Sequence, residues 1–284
     1  MNVLKRSLKS FAIATTGSRS AQRILGRVAG YAEYLAGIGA GSEVETSGER
    51  AIFSLLRQRV KDSCIVFDVG ANLGQFLGAT LAAFPDGRCD VHCFEPGVGT
   101  FWRLSEHHRA VPNVQLNNVA VGKEQGEATL WYDQEGSGIA SLTRRDLAHF
   151  GVRFDNSETV TTTTLDAYCV EHGIPRIDLL KLDIEGHELD ALNGAAELFS
   201  RRAIGMVMFE FGGCNIDTRT FFRDFWHFFG NTGMQLYRIT PSGYLDLLTR
   251  YAESLEQFRT TNFLAVAASG RHDGAAGAGV PRGA

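Results

Sequence analysis

From Cys64 onward the chain alternates short apolar runs with longer segments whose apolar residues recur at helical spacing, and this alternation restricts the fold more than any other feature. Runs that short and that apolar suit buried strands, and the intervening periodic segments suit helices that cover them, which is the βαβ pattern of a parallel sheet. Residues 65–69 read as the first strand, 75–84 as a helix stopped by Pro85 and Gly87, and a second strand ends at Glu95. A helix over 100–108 and a strand over 114–121, broken by Gly122, follow. Residues 127–132 and 159–163 are rich in β-branched and aromatic residues and read as added strands, with a candidate lid around Gly136-Ser137-Gly138 between them. Then come a short helix (165–172), a fourth core strand (177–182), a helix (188–199), a fifth strand (206–211) and two more near 236–239 and 261–266. The expected α/β fold is therefore a seven-stranded, mostly parallel sheet. Residues 1–63 are read as a helical extension, whose second helix (49–60) carries the stripe Ile52, Phe53, Leu55 and Leu56, and the Gly/Ala-rich tail after 268 as disordered.

Charge narrows the partners. With 28 Lys and Arg against 32 Asp and Glu the formal charge is −4, so no overall basic field favours nucleic acid. Five cysteines, an odd number in a chain large enough to fold without staples, read as thiols of a reducing compartment. Cys89 and Cys93 flank His92, a grouping of metal-ligand residue types, but the segment alternates like a strand. No window approaches the ~20 consecutive apolar residues of a membrane span, and the apolar patch at 11–14 is short for a signal peptide, which points to the cytoplasm. The N-terminus stands apart: Lys5, Arg6, Lys9, Arg19, Arg23 and Arg27 all precede the first acid, Glu33, with Leu4, Leu8, Phe11 and Ala12 at helical spacing. Such a helix packs on the domain with a solvated basic face, rests peripherally on an anionic membrane or imitates a targeting peptide.

The segment Asp68-Val69-Gly70-Ala71-Asn72-Leu73-Gly74-Gln75 lies between a strand and a helix, where the backbone turns sharply and glycine lets a ligand come close. Its two glycines lack the three-glycine spacing of a dinucleotide cradle, which favours a smaller nucleoside ligand over NAD. The second strand delivers Glu95, 27 residues after Asp68, near the usual place of a carboxylate that accepts both ribose hydroxyls. After the fourth strand, Asp183, Glu185, His187 and Glu188 crowd the carboxyl edge at which such sheets bind ligands. Glu188 also suits the first turn of the helix that follows.

The runs 67–74, Phe94-Glu95-Pro96, 118–122, Thr164-Leu165-Asp166, 181–188 and Phe209-Glu210-Phe211 resemble, in order, the FkbM family of S-adenosylmethionine-dependent methyltransferases. The resemblance spans roughly 65–267. It implies a Rossmann-like class I methyltransferase with a reversed last hairpin, moving a methyl group from S-adenosylmethionine to the hydroxyl of a small acceptor such as a sugar. By motif position it places Asp68, Gly70, Asn72 and Gly74 around the methionine part of the cofactor, Glu95 at the ribose, and Val119 and Ala120, with Asn118 as a weaker candidate, at the adenine. Ala120 stands where many relatives carry an acid, so an adenine contact from that side chain is not implied.

Methyl transfer of this kind needs the acceptor oxygen aligned and its proton removed. His187 is the one imidazole in the strand-tip cluster and is the leading candidate base, with Asp183, Glu185 and Glu210 as alternatives. Asp183 and Glu210 also offer a second route, a site for Mg²⁺ or Ca²⁺, against the plainer reading that they hydrogen-bond cofactor or sugar. The aromatic run 221–229 reads as core, with Trp226 a candidate contact or stacking wall, and the loop 212–215 as a candidate wall of the acceptor pocket. An NAD-dependent oxidoreductase and a non-catalytic nucleoside-binding module are the competing readings.

Overall fold

The computed structural model describes residues 10, 13–41 and 47–268; the expected tail after 268 and the apolar positions 4, 8, 11 and 12 lie outside the described residues. Helices α1 (Arg19–Leu35) and α2 (Arg50–Arg59) precede β1 (Cys64–Val69), α3 (Gln75–Ala83), β2 (Cys89–Phe94), α4 (Val98–His108) and β3 (Val114–Asn117). After β4 (Ala120–Val121), β5 (Gly126–Tyr132) and β6 (Asn156–Thr163) come α5 (Leu165–Glu171), β7 (Leu179–Leu182), α6 (Glu188–Asn193), α7 (Ala196–Ser200) and β8 (Met206–Phe211). The chain closes with α8 (Cys214–Thr218), α9 (Phe222–Thr232), β9 (Met234–Ile239), β10 (Leu245–Leu247) and β11 (Thr261–Ala267). The main sheet runs β10-β9-β11-β8-β7-β1-β2-β3, parallel from β8 to β3 and antiparallel from β8 through β11 and β9 to β10. The expected reversed hairpin is thus present, and β10 makes eight strands where seven were expected.

Alternate residues of the central strands face two cores. Phe67, Leu180, Val207 and Phe209 meet Leu165, Leu192, Phe225 and Phe229 on one face, while Val66, Leu179, Met206 and Met208 meet Ile52, Leu56, Leu77 and Leu104 on the other. The stripe of α2 therefore belongs to the core, although it was read as part of an extension. The aromatic run is core as expected, with Phe222, Phe225 and Phe229 fully buried and Trp226 packed beside them.

Three expectations need correction. The strand read over 114–121 is two: β3 ends the main sheet, and β4 pairs with β6, which pairs with β5 in a second, three-stranded sheet. The helix read over 188–199 breaks at Gly194, where a Cβ would come within 2.2 Å of the Gly122 carbonyl oxygen. It restarts as α7 because the Asp166 carboxylate accepts the Glu197 and Leu198 amides, at 2.9 and 3.0 Å. Not all five cysteines are thiols: Cys64 and Cys89 stand opposite each other in the β1–β2 register, 4.6 Å apart at Cα, and form a disulfide. Cys93, Cys169 and Cys214 are free and buried.

Candidate active site

Strand register assembles the site. Val69, Phe94, Leu182 and Phe209 lie level across β2-β1-β7-β8, and Asn117 lies beside Phe94. The next residue of each strand, Gly70, Glu95, Asp183, Glu210 and Asn118, therefore falls on one line along the carboxyl edge. Over this line opens a cleft that is also lined by β4, β5 and residues 137, 138 and 140–142 of the β5–β6 connection. Of the residues expected at the site, Gly70, Asn72, Glu95, Val119, Ala120, Asp183, Glu185 and His187 line the cleft; Asp68, Gly74, Asn118 and Glu210 do not.

The glycine turn is shaped by close packing. Gly70 has φ +79°, and a Cβ there would lie 1.9 Å from the Asp183 carbonyl oxygen, so no other residue fits between the β1 and β7 ends. Its amide and that of Ala71 both donate to the Phe94 carbonyl at 3.0 Å. Asn72, at φ 47°, donates its amide to Glu95 Oε2 at 3.0 Å, while its side-chain Oδ1 is buried without a partner. Gly74 instead faces His108 and Leu104 under α3. Asn118 turns away, its amide donating to the Glu95 and Pro96 carbonyls, both at 2.9 Å.

Glu95 is held by two amides, from Asn72 and from Gly97 at 3.0 Å, and burial still pushes its carboxyl up to about 7. Beneath the turn lies an ion pair that the motif reading did not single out: Lys181 Nζ stands 3.2 Å from Asp68, 3.4 Å from Asp183 and 3.0 Å from the Gly70 carbonyl oxygen. Burial works against the charge on Lys181, but Asp68 and then Asp183 outweigh it, and its pKa is raised. Asp68 is fully buried, so desolvation raises its pKa despite Lys181. A lysine inside the otherwise apolar strand Leu179–Leu182 was the available signal.

Around the β7 tip the acids take distinct roles. Asp183 is the open one, its side chain 42% exposed. Glu185, at φ 53°, is bound by Arg145, whose guanidinium also meets Asp217 at 3.3 Å; burial first, then Asp183, pushes Glu185 up to about 8. Glu188 is fully buried and accepts the Ile184 and Gly186 amides, at 3.0 and 3.2 Å, so it shapes the turn. Glu210 is raised well above the usual carboxylate range by burial and by its neighbours Asp183, Glu185 and Glu188. Asp183 and Glu210 do leave adjacent strands, but among the described residues no group of three or more His, Cys, Asp or Glu side chains converges around a point where an ion could sit.

His187 is held at both nitrogens. Asp190 Oδ2 lies 2.9 Å from Nδ1, and the Thr143 hydroxyl 3.0 Å from Nε2. An ionised carboxylate only accepts, so Nδ1 carries the hydrogen, and in the neutral ring Nε2 accepts from Thr143. The hydrogen bond to His187 in turn lowers the pKa of Asp190. Thr143 and Arg145 belong to the β5–β6 connection, which also places the Ser141 hydroxyl on the Glu185 carbonyl at 2.8 Å. No local pattern marks these residues in the sequence, whereas Asp190 stands three positions after His187 on the same helix edge.

Comparison with known proteins gives the chain's family. The family model described as Methyltransferase FkbM domain matches residues 68–235, well over half of the chain. The 2-O-methyltransferase NoeI of Sinorhizobium fredii is 28% identical over 162 residues, which cover 54% of this chain and 64% of NoeI. The hexuronic acid methyltransferase AglP of Haloferax volcanii is 28% identical over 148 residues, covering 52% and 56%. The chain thus spans about three fifths of the length of these curated relatives. Among solved structures, a methyltransferase FkbM from Methylobacillus flagellatus KT aligns over 72% of this chain and 44% of its own, with 16% identity and a TM-score of 0.44.

Proposed function

Because the chain belongs to the FkbM methyltransferase family, we propose that it transfers a methyl group from S-adenosylmethionine to a hydroxyl oxygen of a carbohydrate-like acceptor. The observation that carries this reading is the meeting, in one cleft, of the Gly70–Asn72 turn, Glu95 and the Asp190-buttressed His187. The lining fits the cofactor. Asn72 keeps a buried acceptor without a partner, Gly70 leaves room for close approach, and Glu95 retains lone pairs for ribose hydroxyls. Val119 and Ala120 would form the apolar wall for the adenine. The names of NoeI and AglP support a sugar acceptor. In this reading residues 64–268 are the catalytic unit and 1–63 its extension, from which α2 contributes to the core.

When bound, S-adenosylmethionine supplies the electrophilic methyl group, and the chain's own task is to hold the acceptor oxygen in line and take its proton. His187 suits the second task, since Thr143 already occupies Nε2 with a hydroxyl donor, the same group an acceptor would offer. Asp190 keeps the ring in the tautomer whose Nε2 accepts, so an acceptor hydroxyl would take the place of Thr143 there. Asp183, open at the cleft, would hydrogen-bond the acceptor or the cofactor's ammonium, while Glu185 is held by Arg145 and Glu210 lies outside the cleft lining, so neither is placed to serve as the base. Isothermal titration with S-adenosylmethionine, S-adenosylhomocysteine and NAD tests the cofactor. Saturable binding of the first two and not NAD is expected, and Glu95→Gln should weaken it at least tenfold. Binding of NAD alone would replace this reading with an oxidoreductase.

A further inference from the structure

Helix α1 is amphipathic, yet none of its 17 residues is buried. Ile24, Val28, Tyr31 and Leu35 follow at intervals of four, three and four residues, which places them on one face, and they are 61%, 62%, 66% and 53% exposed. Arg19, Arg23 and Arg27 recur every four residues along the flank of that stripe. The helix is tied to the domain at its C-terminal end, where Glu33 pairs with Arg259 at 2.5 Å and Gly41 donates to the Thr260 carbonyl at 3.0 Å. A lone helix of this length is marginal in water, and an apolar stripe left open along it calls for a cover.

Charge identifies the cover. Six Lys and Arg and no Asp or Glu precede Glu33, in a chain whose overall formal charge is −4. We propose that α1 and the basic residues before it seat the protein on an anionic lipid surface. The helix lies in the plane of the interface, with Ile24, Val28, Tyr31 and Leu35 among the acyl chains and Arg19, Arg23 and Arg27 at the phosphates. Among the described residues no helix is long and apolar enough to cross a membrane. A second copy is the poorer cover, because two stripes flanked by arginines would bring like charges together. The inference does not depend on the reaction proposed for the cleft.

The test is sedimentation of the full chain with phosphatidylcholine vesicles, with and without phosphatidylglycerol. Binding should appear with the anionic lipid, weaken with salt, and fall roughly fivefold for each arginine neutralised. On the same basis Arg19→Gln/Arg23→Gln/Arg27→Gln should lose on the order of a hundredfold. Ile24→Glu/Val28→Glu should abolish vesicle binding while its circular-dichroism melt stays that of the wild type, since these side chains touch no core. Equal partition into neutral and anionic vesicles, or no partition into either, overturns the proposal. So does a dimer in solution that Ile24→Glu/Val28→Glu dissolves, which would give the face to a second copy.

Discussion

At the scale of single residues the proposed base rests on Asp190, His187 and Thr143 in a row. A histidine whose Nδ1 hydrogen is held by a carboxylate presents Nε2 as an acceptor, and a positioned base of this kind contributes about a hundredfold or more to a rate. His187→Ala should therefore lower kcat by at least about a hundredfold while leaving the affinity for S-adenosylhomocysteine as it was. Asp190→Asn should lower kcat about tenfold, with KM for the cofactor unchanged, because Asp190 acts only through the ring. Single-turnover methylation and titration together check both. Normal turnover by His187→Ala would remove it as the base and leave Asp183 as the open carboxylate to test next. His187 was legible in the sequence as the imidazole of the strand-tip cluster. Thr143 was not, since it reaches the ring from 44 residues away through the β5–β6 connection.

At the scale of elements, the site depends on how β1 and β7 are held together at their carboxyl ends. Asp68 and Lys181 face each other in register, and the lysine also holds the Gly70 carbonyl, so one buried cation fixes both the strand pair and the turn above it. Removing one partner of such a pair leaves the other charge uncompensated, at a cost of about 3–5 kcal/mol. Lys181→Met should accordingly destabilise the protein by that order in urea unfolding, and adding Asp68→Asn should restore much of the loss. If the double variant is no more stable than Lys181→Met alone, the cost lies in packing and not in the stranded carboxylate. The ends of β1, β2, β7 and β8 were readable because each is a short apolar or alternating run closed by a glycine or an acid. The division of β3 from β4 was not, because 114–121 has one continuous strand-like pattern and only the pairing of Ala120 and Val121 with Thr162 and Thr163 shows the change of sheet. Arg145 was hidden for a related reason: it lies in a polar connection without period, and its partners Glu185 and Asp217 are distant in sequence.

Across the whole molecule, burial raises three carboxyl groups that bear on stability, and one of them, Glu95, is also the proposed ribose contact. Burial raises Glu49 to about 6, Glu95 to about 7 and Glu185 to about 8, each from an ordinary value of 4.5. In that window these three groups hold protons in the native chain that the unfolded chain has already released. The stability they contribute is therefore full near pH 5 and is lost as pH rises through the folded values, and it outweighs the opposite slope of His92, which burial lowers to about 4. One retained unit is worth about 1.4 kcal/mol, and a chain of this size loses about 2–4 °C of Tm per kcal/mol. The ligand-free protein should thus melt several degrees lower at pH 8 than at pH 5. A ligand whose ribose hydroxyls donate to Glu95 favours the ionised carboxyl, so saturating S-adenosylhomocysteine should raise Tm more at pH 8 than at pH 5 and flatten the dependence. Scanning calorimetry across this range, with and without the ligand, reads both slopes. A ligand-free Tm that climbs with pH would show that these carboxyls are solvated and ionised in the native state. A flattening that persists in Glu95→Gln would mean that the ribose is held elsewhere.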